Sequence, residues 1–143
     1  MTTSPPLDTS VTGLNALLAT SPYNVFLGLR CTVADRDAGI LTLEMPLRPE
    51  LERIAGEPQF HGGPVASLID TAAVFATIMA TETIVPTINL RVDYVRPSSG
   101  GLLTATATVR RAGRSVGVAD VDVTDEQGRL TAIGRVSLST ATS

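Results

Sequence analysis

From Pro64 to about Thr81 no Gly and no further Pro interrupts the chain, and Val65, Leu68, Ile69, Ala72, Phe75, Ile78 and Met79 recur at spacings of three and four. That period builds a helix with a broad apolar surface, and Pro64 suits its first position, where an N–H would have no partner anyway. A helix so apolar has to be covered on several sides. This requirement limits the folds open to the chain more than any other feature.

The rest of the sequence supplies the cover. Ile88, Leu90, Val92 and Tyr94 alternate with Asn89, Arg91 and Asp93, and Pro97-Ser98-Ser99-Gly100-Gly101 closes that strand. Ala105, Ala107 and Val109 then alternate with Thr104, Thr106 and Thr108; a third strand runs from about Ser115 to Thr124, with a bulge expected near Val118. After the Asp125-Glu126-Gln127-Gly128 turn, Leu130, Ala132, Gly134, Val136 and Leu138 share one face, and Gly134 lets a neighbour approach the backbone closely.

Upstream, Ser10 or Thr12 caps a short helix carrying Leu14, Leu17 and Leu18, which ends at Ser21-Pro22. Leu27, Leu29, Cys31 and Val33 read as one strand of a hairpin, and Leu41, Leu43 and Met45 as the other. Pro46, Pro49, Gly56 and Pro58 make Leu47 to Phe60 a loop with one irregular turn around Leu51 to Ile54. The order predicts an α+β domain, one antiparallel sheet around one buried helix.

Length and charge narrow the function. With 143 residues and 43% hydrophobic content, one domain with a real core is expected. The single Cys31 excludes an intramolecular disulfide framework and agrees with a cytoplasmic setting, and no basic leader or run of roughly 20 apolar residues is read. Net charge is −3, all eleven basic side chains are Arg, and aromatic residues are only 3%, which argues against nucleic acid as a partner. Arg91, Arg96, Arg110, Arg111 and Arg114 nevertheless gather in one stretch. They fit either solvated outward positions or a phosphate-bearing ligand.

Chemistry concentrates at His61-Gly62-Gly63-Pro64 and the helix that follows. Two residues without Cβ allow a tight turn and close ligand approach, and the free N–H groups of a helix start favour a developing negative charge. Asp70 stands two turns on, the only acidic residue between His61 and Glu82, either on a solvated stripe with Ser67, Thr71, Val74 and Thr77 or as a working carboxylate. A Ser67-His61-Asp70 triad lacks an exposed nucleophile elbow, Cys31 reads as core, and neither a metal-ligand cluster nor a glycine-rich nucleotide fingerprint is present in the sequence.

His61-Gly62-Gly63 with Asp70, Leu47-Arg48-Pro49-Glu50 and Ile88-Asn89-Leu90-Arg91-Val92-Asp93-Tyr94-Val95-Arg96-Pro97 together resemble the PaaI-type hotdog-fold acyl-CoA thioesterases, over roughly Tyr23 to Thr140. The resemblance implies a hotdog fold, in which a curved antiparallel sheet wraps the long helix. Residues 1–22 would be a tail with a short helix, and residues 23–143 one thioesterase-like domain. It implies a homodimer or a homotetramer built as a dimer of dimers, with active sites shared across the dimer interface, and hydrolysis of acyl-CoA without metal or cofactor. Asp70 would activate water or attack the thioester, Gly62 would polarise the carbonyl, and His61 would position the thioester.

Gly63 belongs to the same helix start, and Arg111, Arg114 and Ser115 lie in the segment resembling the one that meets coenzyme A phosphates. Many relatives place an Asn or Gln a few residues before His-Gly-Gly. Here the loop reads Ile54-Ala55-Gly56-Glu57-Pro58-Gln59-Phe60, so Gln59 is the candidate, from another offset. Val74 stands one turn beyond the acid, with Thr71 nearby and Thr87 able to supply a hydroxyl from the opposing strand. A non-catalytic acyl-CoA-binding module of the same fold is the rival reading.

Overall fold

The computed structural model describes residues 4–142. Two short helices, α1 (Val11–Leu18) and α2 (Pro22–Leu27), precede the hairpin β1 (Arg30–Asp35) and β2 (Ile40–Pro46). The long helix α3 (Gly62–Thr81) follows, then β3 (Thr87–Tyr94), β4 (Leu102–Ala112), β5 (Val116–Thr124) and β6 (Leu130–Ser139). All six strands form one antiparallel sheet in the order β1-β2-β4-β5-β6-β3. β3 thus crosses to the far edge and pairs only with β6.

The core lies between α3 and the sheet. Ten side chains of α3 are buried, and they meet Leu41, Leu43 and Met45 of β2, Leu103, Ala105 and Ala107 of β4, and Val121, Val136 and Leu138 beyond. Small residues on the sheet let the helix sit deep. At Gly134 a Cβ would run into Ile69, so the close approach expected there is made by α3 itself. Burying each large side chain contributes roughly 1.5–3 kcal/mol, which is why the helix is apolar on so much of its surface.

By length and composition α3 would suffice to cross a bilayer, but it is the buried core helix of this fold. Ser67, Asp70 and Thr71 interrupt its apolar run on the half-buried face.

Four expectations need correction. α3 starts two residues early, at Gly62, with His61 as N-cap, so Pro64 is third in the helix, still among positions whose N–H has no intrahelical partner. Leu27 ends α2 instead of opening a strand: Ser21 caps that helix, Pro22 starts it, and Gly28 stops it at φ 69°. Local capping outweighed the alternation of Leu27 with Leu29. The 3-10 turn in the loop occupies Pro49–Leu51, before the expected place. The bulge faces Val118 but its extra residue is Arg110 on β4; β5 keeps its alternation of buried and half-buried residues.

Candidate functional site

The first turn of α3 has four N–H positions to account for. Gly63 N–H donates to His61 Nδ1 at 2.9 Å, Pro64 has none, and Val65 makes no hydrogen bond to the His61 carbonyl of the kind that opens α1 and α2. Gly62 N–H makes no protein hydrogen bond among the described residues. The run His-Gly-Gly-Pro therefore leaves Gly62 N–H as a free donor in the first turn, on the positive end of a 20-residue helix. His61 accepts through Nδ1, so its proton sits on Nε2, turned to solvent.

The other face of Gly62 is closed by Tyr94 at the end of β3. Its hydroxyl donates to the Gly62 carbonyl at 2.6 Å, and a Cβ on Gly62 would lie 3.3 Å from the ring. Burial pushes the Tyr94 phenol above its ordinary pKa, which keeps it a donor. A groove of about 330 Å³ runs past this point, lined by Gln59, Phe60, Gly62, Val65 and Tyr94, with Arg53 at its rim. Gln59 is thus brought beside Gly62, while its backbone bridges to Ser99.

Asp70 lies eight residues further along the same helix. At 1.5 Å per residue that is about 12 Å of rise, too far for its carboxylate and Gly62 N–H to serve one carbonyl within one chain. Its partner is Thr87 at the start of β3, whose hydroxyl donates to Oδ1 at 2.6 Å. Oδ2 receives no protein hydrogen bond among the described residues. Thr71 turns its hydroxyl back to the Ser67 carbonyl at 2.8 Å, so that donor is spent within its own helix. β3 therefore runs from the acid end of α3 to the donor end.

Arg96 lines the groove at Gly62, while Arg91 and Arg110 lie on the outer face of the sheet and Arg111 and Arg114 at the β4–β5 turn. Arg135 grips Asp120 with two nitrogens at 2.7 and 2.9 Å, and Arg110 stands 3.6 Å from the same carboxylate on the outer face of the sheet. The Arg135 hydrogen bonds hold the Asp120 carboxyl below the usual range. Arg111, Arg114 and Ser115 instead line a separate cleft at the β4–β5 turn with Gly113, and neither of these two arginines forms an ion pair among the described residues. Arg110 continues the outward face of Thr106 and Thr108, and Arg111, one residue on, falls to the other side by strand alternation.

Sequence reasoning did not find the Tyr94 contact with Gly62 or the pair Tyr23 and Ser67, whose hydroxyls lie 2.7 Å apart. The one available signal was Tyr94 itself, a large aromatic just before Arg96-Pro97 on an edge strand, left 54% exposed.

Comparison with known proteins gives one consistent answer. The profile of the thioesterase superfamily matches residues 59–132, from Gln59 to the beginning of β6. The medium/long-chain acyl-CoA thioesterase YigI of Escherichia coli K12 is 33% identical over 121 residues, covering 74% of this chain and 77% of YigI. The acyl-coenzyme A thioesterase PaaI of the same organism is 31% identical over 104 residues, covering 72% of each. The solved structure of Escherichia coli PaaI superposes with a TM-score of 0.79 at 25% identity, covering 94% of this chain and 95% of that one.

Proposed function

This chain belongs to the thioesterase superfamily and is a thioester hydrolase, and from that premise we propose that it hydrolyses acyl-CoA to a free acid and coenzyme A, with Asp70 and the Gly62 N–H as its working groups. The observation that carries the proposal is the free Gly62 N–H at the helix start, on the same helix as a carboxylate held by Thr87. The Asp70 carboxylate takes a proton from water as the water oxygen attacks the thioester carbon. The carbonyl oxygen becomes negative against Gly62 N–H, the C–S bond breaks, and the thiolate leaves and takes up a proton. Direct attack by Asp70 is the other route; a single turnover in ¹⁸O water labels Asp70 only if it acts as nucleophile.

Because Gly62 and Asp70 are about 12 Å apart in one chain, each site needs two chains. β3 supports this. It is an edge strand with Ile88 and Tyr94 more than half exposed, a form that invites pairing with a second copy. Antiparallel pairing with Thr87 of one copy opposite Tyr94 of the other brings the Asp70–Thr87 end of one chain to the Gly62–Tyr94 end of its partner, twice per dimer. Two such dimers make the tetramer. His61 Nε2–H and Gln59 stand beside the thioester, Gly63 fixes the imidazole, and Arg111, Arg114 and Ser115 take the coenzyme A phosphates at the hairpin cleft. The buried thiol of Cys31 suits a cytoplasmic enzyme.

The test is release of free thiol from acyl-CoA by the wild type and by Asp70→Asn, with fold checked by circular dichroism. Hydrolysis by the wild type and its loss in the variant are expected. Saturable acyl-CoA binding with no thiol release by the wild type would instead establish the non-catalytic module, the reading favoured by a loop from Ile54 to Phe60 whose only amide side chain is Gln59, from another offset.

A further inference from the structure

Three hydrogen-bonding groups at the helix start form one continuous chain. The Tyr94 hydroxyl donates to the Gly62 carbonyl at 2.6 Å, that carbonyl shares its peptide unit with the Gly63 N–H, and this N–H donates to His61 Nδ1 at 2.9 Å. A donor placed on a peptide carbonyl draws electron density through the amide and makes the N–H at its other end a stronger donor. The Gly62–Gly63 unit is also the part of α3 with the most backbone freedom to lose, so it needs an external anchor. Tyr94 is that anchor, and the missing Cβ of Gly62 is what lets the ring come within contact.

We propose that Tyr94 is a positioning residue for His61: acting through the single Gly62–Gly63 peptide, it holds the imidazole with Nδ1 occupied and Nε2–H presented to the ligand. The hydroxyl touches neither substrate nor imidazole; its effect passes through the backbone. Its location adds a second consequence. Tyr94 ends the edge strand β3, so pairing of two such edges would reach the anchor directly and couple assembly to the setting of His61.

The chain contains one histidine, so its imidazole nitrogens can be read without assignment ambiguity. The experiment records long-range ¹H–¹⁵N spectra of the full chain at pH 8, for the wild type and for Tyr94→Phe. The wild type is expected to show His61 almost wholly as the Nε2–H tautomer, and the variant to move toward the mixed shifts of an unrestrained imidazole. Identical His61 shifts in the two proteins would overturn the proposal. If Tyr94→Phe fails to fold, uniform 3-fluorotyrosine labelling of the wild type changes only hydroxyl acidity; with Tyr23→Phe to remove the second label, a shifted Nδ1 resonance supports the relay and an unmoved one overturns it.

The kinetic arm rests on the proposed thioester hydrolysis and is kept separate. Tyr94→Phe should lower kcat about tenfold and change KM less than about twofold, since orientation and not binding is lost. Absence of thiol release in the wild type, with the tautomer shift observed, would remove the hydrolytic reading and leave the positioning role standing. An unchanged kcat beside a moved tautomer would overturn the claim that the relay serves His61 in turnover.

Discussion

The two ends of the α3–β3 pair are built in opposite ways. At the Gly62 end the sequence strips away competitors: His61 caps Gly63, Pro64 has no N–H, and the absent Cβ admits Tyr94, leaving Gly62 N–H free beside it. At the Asp70 end a side chain on a regular helix is steadied by one hydroxyl from the start of β3, Thr87 at 2.6 Å. One end is defined by backbone and the other by side chains. In the proposed mechanism the one end would stabilise the carbonyl oxygen and the other would act as base, and because about 12 Å of helix separates them, neither end alone would complete a reaction centre.

Asp70→Asn cuts at the side-chain end and carries the largest expected effect, a loss of about 10²–10⁴ in kcat with the fold retained, read by thiol release. At the backbone end the matching change is Gly62→Pro. It deletes the free Gly62 N–H while leaving the helix possible, because Pro is favoured at the first helical position and His61 already has the extended backbone that precedes a proline, φ −61° and ψ 148°; its Cβ also presses on Tyr94, so the effect is read against that of Tyr94→Phe. A fall of about 10²–10³ in kcat is expected, and near-normal turnover would show that the helix-start donor does no electrostatic work.

Thr87→Val is milder. It leaves the carboxylate in place without its 2.6 Å donor, so kcat should fall about tenfold; a change in thermal stability without a change in kcat would reduce Thr87 to a structural contact. Arg111→Glu probes a place belonging to neither end, the hairpin cleft. KM for acyl-CoA should rise several-fold while KM for a short thioester without phosphates stays put, and equal effects on both would withdraw the phosphate role.

The contrast between the ends also explains what could be read from sequence. The apolar spacing from Val65 to Met79 and the alternation along β4 and β6 reflect burial of whole faces, so helix, strands and the close approach at Gly134 were legible. Where a local cap competes with a short alternation, as Ser21-Pro22 does with Leu27 and Leu29, periodicity misleads. The donor set of the first turn was partly legible, since glycines and a proline state their own chemistry. That Tyr94 would land on Gly62, 32 residues away, was not: it depends on β3 crossing to the far edge of the sheet, a choice of topology with no local mark. Similarly, the arginines looked like one patch in the sequence, because alternation parts Arg110 from Arg111 but the surfaces that receive them depend on the order of the strands.

The central claim is that each site takes its donor from one chain and its carboxylate from another. The direct test mixes Asp70→Asn and Gly62→Pro proteins, each inactive alone, under conditions that allow chains to exchange. Random dimerisation makes half the dimers mixed, and each mixed dimer regains one intact site of two, so activity should rise to about a quarter of the wild-type value. A mixture that stays at the level of the separate variants, with exchange verified by mass spectrometry of tagged chains, would contradict the shared site.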